Sequence, residues 1–355
     1  MYTGQNQQAG PAGGQEPPGL RRPRAPAPPP RRRRTGRGRR VLSWCAAVFL
    51  VPVSVPLVFR GLDADGPSPV PQLLAFLPWF LAPAWVGLAL AVLARRWPVA
   101  LWAAATLAAT AVFLQPYGPD APPPGAQPTA ARFSVLTANL HHGDATEALL
   151  KLLDREHPQL VAVQECDQRC VRALRSDAVR EAYPHRIVVD EGRSAGSALL
   201  STYPLRSTKP LPGVLAMPGA YADVAGVRVR VQVAHPMPPE FASVTAWRRG
   251  LDELRDLAAS LHRDGTPALF AGDFNASQDH AAFRAVLAAG LQDAARLQGH
   301  SRSPTWPSRT VPQLGVQIDH VLLSDAFETR EVTFPALPGS DHRAVLADVA
   351  LRASS

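Results

Sequence analysis

Short polar motifs at the ends of apolar runs contain the residues of this sequence that could do chemistry. Each run has the length and composition of a buried β-strand, and strand ends are where a rigid sheet presents catalytic groups. The acids, amides and imidazoles together suit hydrolysis of a phosphoester, which needs a positioned water, stabilised charge on the phosphoryl oxygens and a proton for the leaving oxygen. In chain order the motifs are Asn139, Gln164-Glu165, His235-Pro236, Gly272-Asp273-Phe274-Asn275, Asp319-His320 and Ser340-Asp341-His342.

A hard divalent cation would complete this chemistry. Proteins bind Mg²⁺ through one or two carboxylates and leave it several waters, so Glu165 with nearby amide and carboxylate oxygens suits Mg²⁺ or Mn²⁺. The Cys and His spacing of zinc sites is absent from the sequence, which has three cysteines. The motifs therefore predict a phosphoester hydrolase that depends on Mg²⁺ or Mn²⁺.

In this order the motifs resemble those of the endonuclease/exonuclease/phosphatase superfamily, which includes the DNase I-like nucleases, sphingomyelinases and inositol-polyphosphate phosphatases. The resemblance covers residues 132–352. It implies an α/β fold in which two packed mixed β-sheets are flanked by helices, the four-layer DNase I-like sandwich.

The resemblance also implies a role for each motif. Glu165 is expected to be the main metal ligand, and Asn139 is expected to help hold the metal or the phosphate. Asp273 and Asn275 should orient the attacking water and a phosphate oxygen. His342 is the candidate for the general base, or for an imidazolium that faces the phosphate.

For Asp319, Asp341 and His235 the sequence leaves two roles open. Asp319 and Asp341 are both expected near the metal and near His342, and the sequence does not divide the roles of metal ligand and histidine partner between them. His235 is expected to contact phosphate or to act as an acid; the alternative is a structural histidine before a proline-rich turn. His320 should point to the opposite side of its strand from Asp319 and be structural.

Two more features near the expected cleft remain ambiguous. The pair His141 and His142 could bind a second metal ion or could be a solvated loop pair. Trp306 could lie beside the cleft or pack in the core.

Most of the formal charge of +8 belongs to the N-terminal tail. Ten arginines lie between Arg21 and Arg40, while Glu16 is the one acidic residue in the first forty positions. From Arg132 onward there are 24 basic and 25 acidic residues. Nucleic acid is therefore an alternative partner but not a favoured one, because binding to duplex DNA normally uses a basic face.

The composition divides the chain into four regions. Residues 1–40 are rich in Gly, Pro, Gln and Arg, which predicts a disordered cytoplasmic tail that contacts anionic lipid or is simply solvated. Residues 41–115 contain three apolar stretches, and residues 116–131 are a proline-rich linker that should act as a semi-rigid spacer. Residues 132–355 form the expected catalytic domain.

The three apolar stretches, residues 41–59, 70–93 and 97–114, predict three transmembrane helices. Loop charge then predicts a cytoplasmic N-terminus, a cytoplasmic Arg95-Arg96 turn and an extracytoplasmic catalytic domain. The alternative is a cleaved export signal beginning near Arg39. In an extracytoplasmic domain Cys166 and Cys170 could form a disulfide; redox regulation or metal binding by the pair is the other reading.

Periodicity predicts that strands and helices alternate in the domain. The predicted strands cover residues 133–139, 160–164, 196–202, 221–224, 227–234, 267–272, 316–323 and 344–351, and the predicted helices cover residues 145–157, 171–182 and 241–263.

These features together predict a multi-pass, membrane-anchored phosphodiesterase or phosphatase with a phosphoester substrate, for which a lipid-linked phosphate is the favoured class. An extracellular nuclease and a catalytically silent binding module of the same fold are the alternatives. The layout also resembles actinobacterial membrane proteins associated with glycopeptide-antibiotic resistance, and the high Ala, Arg and Pro content agrees with such a source.

Overall fold

The computed structural model describes residues 35–118, 128–192, 194–310 and 312–353. Most of the predicted tail, residues 1–34, and most of the predicted linker, residues 119–127, lie outside the described residues.

The N-terminal region is a bundle of helices. Its helices are α1 (Thr35–Gly61), α2 (Val70–Ala75), α3 (Leu81–Leu93) and α4 (Trp97–Phe113), with a 3₁₀ turn at Leu77–Phe80 between α2 and α3. The predicted single helix over residues 70–93 is therefore wrong. Pro78 lies at the start of the 3₁₀ turn, where it cannot donate the backbone hydrogen bond that an uninterrupted helix needs.

By length and composition, one helix of the bundle is a candidate membrane span. In the described part of the chain, one helix, Gly36–Gly61, is long and apolar enough to span a bilayer. The apolar helical segments Leu77–Leu93 and Trp97–Phe113 are shorter. The three predicted transmembrane helices are thus not supported by length alone.

The bundle is apolar both inside and outside. Helix α1 packs against α3 and α4, and small residues such as Gly87 let the helices approach: a Cβ at Gly87 would lie 2.8 Å from the side chain of Leu50. Large apolar side chains also cover the outer surface. Trp44 is 75% exposed and Leu101 is 72% exposed.

The catalytic region contains two six-stranded mixed sheets. The first has the strand order β11-β12-β1-β2-β4-β3 and the second has the order β5-β6-β7-β8-β10-β9. Only β1 with β2 and β7 with β8 pair in parallel among the described strands. The strands are β1 (Thr129–Asn139), β2 (Leu160–Gln164), β3 (His185–Val189), β4 (Ser197–Ser201), β5 (Leu205–Ser207), β6 (Gly219–Val224), β7 (Val227–Ala234), β8 (Ala268–Asp273), β9 (Gln292–Asp293), β10 (Asp319–Leu323), β11 (Phe327–Thr333) and β12 (Val345–Arg352).

The two sheets pack face to face and are covered by helices. Side chains such as Val135 and Leu160 from the first sheet and Val231 and Leu269 from the second form the central core. The outer faces are covered by α5 and α6 on the first sheet and by α8 and α9 on the second. This arrangement confirms the predicted α/β fold of two packed mixed sheets flanked by helices. The helices are α5 (Thr146–Glu156), α6 (Gln168–Leu174), α7 (Asp177–Ala182), α8 (Val244–Arg263), α9 (Ala281–Ala288) and α10 (Ala294–Leu297).

Most predicted elements are present within a few residues of their predicted ends, but the helix predicted over residues 171–182 is two helices. The first of them ends at Leu174, and the hydroxyl of Ser176 caps the second by accepting a hydrogen bond from the backbone of Val179. The strands β3, β5, β9 and β11 and the helix α9 were not predicted.

The bundle is attached directly to the catalytic domain, so the predicted spacer does not hold the two apart. The carboxylate of Asp65 accepts hydrogen bonds from the backbone of Ala281 (2.7 Å) and Ala282 (3.0 Å) at the start of α9. At the end of α4, Arg302 donates to the carbonyl of Phe113 at 2.9 Å and pairs with Asp279. Residues 61–69 and the end of α4 therefore lie against the second sheet's helices.

Candidate active site

Strand register brings the polar motifs together at one edge of the sandwich. Asn139 ends β1 opposite Gln164 of the parallel strand β2, so that Glu165 follows beside it. In the second sheet Asp273 of β8 lies directly opposite Asp319 of β10. The separately predicted motifs thus converge because the strands that carry them are neighbours.

A buried histidine and aspartate form the centre of the site. The Nδ1 atom of His342 lies 2.9 Å from Oδ2 of Asp319, and its Nε2 atom lies 3.9 Å from a carboxylate oxygen of Asp273 and of Asp341. The hydroxyl of Thr305 accepts a hydrogen bond from the backbone of Asp319, which orients this strand end. With Nδ1 engaged, Nε2 is the ring atom that is available to a substrate.

The local charges favour a protonated His342 and a less acidic Asp273. Burial by itself would lower the pKa of His342, but the carboxylates of Asp319, Asp273 and Asp341 raise it well above the usual value. Burial and the charge of Asp319 raise the pKa of Asp273, and the neighbouring His342 opposes that rise. At neutral pH the site therefore contains an imidazolium beside closely packed carboxyl groups.

Asn139 connects the two sheets within the site. Its amide Nδ2 donates to Asp273 Oδ2 at 3.0 Å and to Glu165 Oε1 at 3.3 Å. Glu165 adopts a φ of 55°, a left-handed conformation that is uncommon for a residue other than glycine. The other oxygen of Glu165 accepts from the backbone of His142 at 2.8 Å. Glu165 is therefore held in place from both of its oxygens.

The donor set fits a divalent cation. Oδ1 of Asp319 is buried without a hydrogen-bond partner among the described residues, an arrangement that a bound cation would satisfy. Two groups of side chains could each provide three ligand atoms within 4.8 Å of one another: His141, His142 and Glu165, and the buried group Asp273, Asp319 and His342. Carboxylate and amide oxygens are the ligands that Mg²⁺ and Mn²⁺ prefer.

The remaining predicted residues surround this centre. Asn275, with a φ of 48°, donates its side-chain amide to the carbonyl of Pro236 at 3.0 Å. His235 is buried, and its Nδ1 has no hydrogen-bond partner among the described residues. Burial and the charge of His342 lower the pKa of His235 to about 3, so its ring is neutral.

Asp341 lies at the rim of the site rather than at its centre. Its carboxylate is 2.9 Å from Nδ1 of His141 and accepts from the indole of Trp306 at 3.0 Å. Trp306 thus lies beside the cleft, which decides between its two predicted positions. Asp319, not Asp341, is the close partner of His342, so the structure identifies the histidine partner, one of the two roles that the sequence left open.

A cavity of about 540 Å³ unites these residues. Asn139 and Asp319 do not line the cavity but are hydrogen-bonded to residues that do. Asn139 donates to Glu165 and Asp273, and Asp319 contacts His342. The lining includes the predicted residues Glu165, His235, Asp273, Asn275, Asp341 and His342. It also includes Gln72, Ala75 and Phe76 from the helical bundle, which no motif in the sequence pointed to.

A disulfide and a histidine near the site are structural. Cys166 and Cys170 form a disulfide that ties the residue after Glu165 to α6. His320 points away from Asp319, as predicted, and its ring lies 2.8 Å from Asp293 and 2.9 Å from the carbonyl of Ala276.

Comparison with known proteins agrees with the motif order. The profile of the Endonuclease/Exonuclease/phosphatase family matches residues 136–342, more than half of the chain. The chain belongs to this family. Members of the family are metal-dependent hydrolases of phosphoesters, so the catalytic region is a phosphohydrolase domain. No curated protein matches the sequence.

Several solved structures share the fold of this family member. A humanized D. rerio TDP2 is 16% identical over 61% of this chain and 98% of that one, with a TM-score of 0.50. The 3′ phosphatase NExo from Neisseria, bound to a product DNA hairpin, is 19% identical over 61% and 98%, with a TM-score of 0.50. The human Nocturnin catalytic domain with bound sulfate is 15% identical over 64% and 96%, with a TM-score of 0.50. At these identities the likeness extends to the fold alone.

Proposed function

We propose that this protein is a membrane-anchored, extracytoplasmic phosphohydrolase that acts on a lipid-linked phosphoester with Mg²⁺ or Mn²⁺. The observation that supports the catalytic part most strongly is that Glu165, Asp273 and His342 line one cavity although they come from separate segments of two sheets. Asn139 and Asp319 are hydrogen-bonded to these residues from behind the cavity wall.

Glu165 and Asn139 are the residues that would hold the cation, and Asp319 or Asp341 would complete the ligand set. When bound, the cation neutralises charge that develops on the phosphoryl oxygens. The neighbouring amide of Asn139 keeps the carboxylates of Glu165 and Asp273 close together without a second positive charge.

His342 serves in this proposal as an imidazolium that faces the phosphate, not as the base. Asp319 holds Nδ1 and thereby directs the Nε2–H into the cavity, where it donates to a phosphoryl oxygen. Asp273 takes the proton of the attacking water, because its raised pKa makes it a better base than an ordinary aspartate. Asn275 orients that water and a phosphate oxygen.

His235 and Asp341 have supporting roles. His235 is neutral, because its pKa is lowered to about 3, and it lines the cavity, where its ring N–H donates a hydrogen bond to the phosphate. The imidazolium of His342 is the group that can give a proton to the leaving oxygen. Asp341 keeps His141 and Trp306 in position at the rim. These roles follow the resemblance and the distances described above.

The lining of the cavity favours a lipid-linked substrate over a nucleic acid. Neither Lys nor Arg is among the described residues that line it, whereas Met237, Pro238, Val316 and Ile318 are. A nucleic acid is normally bound through basic side chains that contact several phosphates. One phosphate at the acidic centre with an apolar group beside it matches the lining better.

Anchoring in a membrane is supported by the surface of the bundle. A soluble bundle would cover its outer face with polar residues, but here large apolar side chains are exposed along α1, α3 and α4. We propose that the three helices span the membrane side by side, α1 fully and the shorter helices with local thinning of the bilayer.

The disulfide agrees with an extracytoplasmic domain. The layout agrees with the actinobacterial membrane proteins named above.

The test uses the full-length protein in phospholipid nanodiscs with Mg²⁺. It would be assayed on bis-p-nitrophenyl phosphate, p-nitrophenyl phosphate, a polyprenyl pyrophosphate and plasmid DNA, with Glu165→Gln as the control variant. We expect turnover of a phosphoester that EDTA abolishes and that Glu165→Gln largely lacks, together with weaker Mn²⁺ binding by that variant in calorimetry. Cleavage of plasmid DNA alone would identify a nuclease, and no turnover of any of the four would contradict the proposal.

A further inference from the structure

One wall of the catalytic cavity comes from the membrane-anchoring bundle. Ala75 and Phe76, at the end of α2, line the same cavity as His342 and Asp273. Both side chains are partly exposed, so each presents apolar surface to the cavity. The anchor is therefore part of the substrate site and not only a tether.

Several hydrogen bonds hold α2 in this position. Gln72 donates to the carbonyl of Pro239, and the ring Nε2 of His280 lies 2.8 Å from the carbonyl of Pro71. Trp79 donates its indole N–H to the carbonyl of Leu314 at 3.1 Å. Because these contacts lie on both sides of α2, the helix cannot leave the cavity without breaking the joint between bundle and domain.

The rim of the cavity is also apolar. The large apolar side chains that are exposed in the described part of the catalytic domain are Val214 (62%), Phe241 (86%) and Leu314 (42%). Each of them lies within two residues of a residue that lines the cavity. Exposed apolar side chains beside a cavity mark a candidate interaction surface. Leu314 also contacts the bundle, because its carbonyl accepts the indole N–H of Trp79.

We propose that α2 and the loop at residues 237–239 form a binding subsite for the hydrocarbon chain of a long-chain phosphoester whose phosphate lies at His342 and Asp273. This inference rests on the proposed function and assigns the place where the substrate's chain binds. The chain would run from the catalytic centre between Phe76 and Met237 toward the apolar rim and the bilayer. A cavity of about 540 Å³ lies within the size range of pockets that enclose most of a small ligand.

The residues that line the cavity favour a hydrocarbon chain over a nucleic acid strand or a short soluble phosphoester. A nucleic acid strand would need cationic groups where the described lining has Ala75, Phe76, Leu215 and Met237. A short soluble phosphoester would leave these apolar side chains exposed to water. A single hydrocarbon chain attached to one phosphate uses both the apolar wall and the acidic, metal-binding centre.

The first experiment measures chain-length preference in the full-length protein in nanodiscs. The substrates are p-nitrophenyl butyl phosphate and p-nitrophenyl dodecyl phosphate, and the quantity is the ratio of their kcat/KM values. We expect the wild type to prefer the dodecyl ester and Phe76→Ser to reduce the ratio roughly tenfold, which corresponds to lost contact with about two methylenes. The change should appear mainly in KM.

Two variants serve as controls. Phe76→Leu keeps an apolar side chain and should retain most of the preference. Val112→Ser removes a similar exposed apolar side chain from α4, outside the cavity lining, and should leave the ratio unchanged. Equal losses for Phe76→Ser and Val112→Ser, or a wild type without chain-length preference, would contradict the subsite.

The second experiment does not depend on turnover. A dodecyl phosphate with a diazirine at the end of its chain would be photolysed with the protein, and the labelled peptides would be mapped by mass spectrometry. Labelling of residues 72–79 or 237–241 that excess unlabelled dodecyl phosphate prevents supports the subsite, even if neither nitrophenyl ester is hydrolysed. Hydrolysis of both esters with labelling confined to other segments would refute the subsite and leave the proposed hydrolase intact.

Discussion

In the proposed mechanism, His342 and Asp273 act on the same attacking water and phosphate. Oδ2 of Asp273 lies 3.9 Å from Nε2 of His342, and both residues are buried. A water placed between them would contact both groups. Their contributions to rate should therefore be strongly coupled, because each group acts on a geometry that the other helps to create.

This coupling predicts the kinetics of three variants. His342→Ala should lower turnover on the order of 10²- to 10⁴-fold. Asp273→Asn should cause a similar loss with little change in stability, since volume is conserved. The double variant should be scarcely slower than the slower single variant, as measured on one soluble diester with circular dichroism to confirm folding. Strictly multiplicative losses would show that the two residues serve different steps.

A second buried histidine allows a test of electrostatics away from the reacting centre. Burial by itself would lower the pKa of His320, but the carboxylate of Asp293 and the carbonyl of Ala276 raise it above the usual value. The folded protein therefore binds this proton more tightly than the unfolded chain does. The resulting stabilisation is fully present below about pH 6.5 and is lost as pH rises through the raised pKa of the folded state.

His320→Gln should remove this part of the pH dependence. Between pH 6.5 and the raised pKa of His320, the unfolding free energy of the wild type should fall by up to about 1.4 kcal/mol per pH unit relative to the variant. Chemical unfolding of both proteins in detergent from pH 6 to 9 would measure the difference. Parallel pH profiles would mean that His320 is not charged in the folded protein.

At the scale of secondary structure, the most consequential contact is the capping of α9 by a residue of the bundle. His280 precedes α9 but its side chain does not cap the helix. The carboxylate of Asp65 instead accepts from two backbone N–H groups of the first turn. A negative charge there also interacts favourably with the helix dipole. The catalytic domain thus depends on a loop of the helical bundle to cap the first turn of α9.

Asp65→Ala should loosen this joint. Loss of a capping carboxylate typically costs about 0.5 to 2 kcal/mol, so the amides of Ala281 and Ala282 should exchange faster with solvent. Hydrogen–deuterium exchange of the full chain in nanodiscs would measure this. Asp177→Ala is the control, because Asp177 is fully exposed and pairs with the exposed side chain of Arg180, and exposed ion pairs contribute little. Equal exchange in both variants would contradict the capping role.

For the whole molecule, the packing of the bundle predicts its orientation in a membrane. Ala46 of α1 packs with Ala91 and Ala100, whereas Leu57 packs near Phe113. The Arg95-Arg96 turn therefore lies at the end of the bundle away from the catalytic domain. Basic turns remain on the cytoplasmic side.

Arg95→Cys, in a background with Cys45→Ser, should react with a membrane-impermeant maleimide only after the cells are permeabilised. A reporter fused after Pro128 should be active only outside the cytoplasm. Labelling of Arg95→Cys in intact cells would show that α3 and α4 do not cross. A fluorescent fusion that folds in the cytoplasm at the same position would contradict the extracytoplasmic assignment.

The sequence by itself determined the features that depend on local pattern. Alternating or continuous apolar runs predict strands, and polar residues at their ends predicted Glu165, Asp273 and His342 as neighbours in one site. The order of the motifs was sufficient to identify the family, and the family implied the two-sheet fold. These predictions succeeded because strand periodicity and the position of a motif at a strand end are properties of short segments.

The tertiary structure decided what depends on contacts between distant segments. Only the packing of one sheet against the other shows that Asp319 of β10, rather than Asp341, holds Nδ1 of His342, which precedes β12. The place of Phe76 in the cavity and the capping of α9 by Asp65 arise where the bundle meets the domain. No local pattern encodes such a meeting, because its free energy comes from burial and hydrogen bonds that form only when both parts are folded.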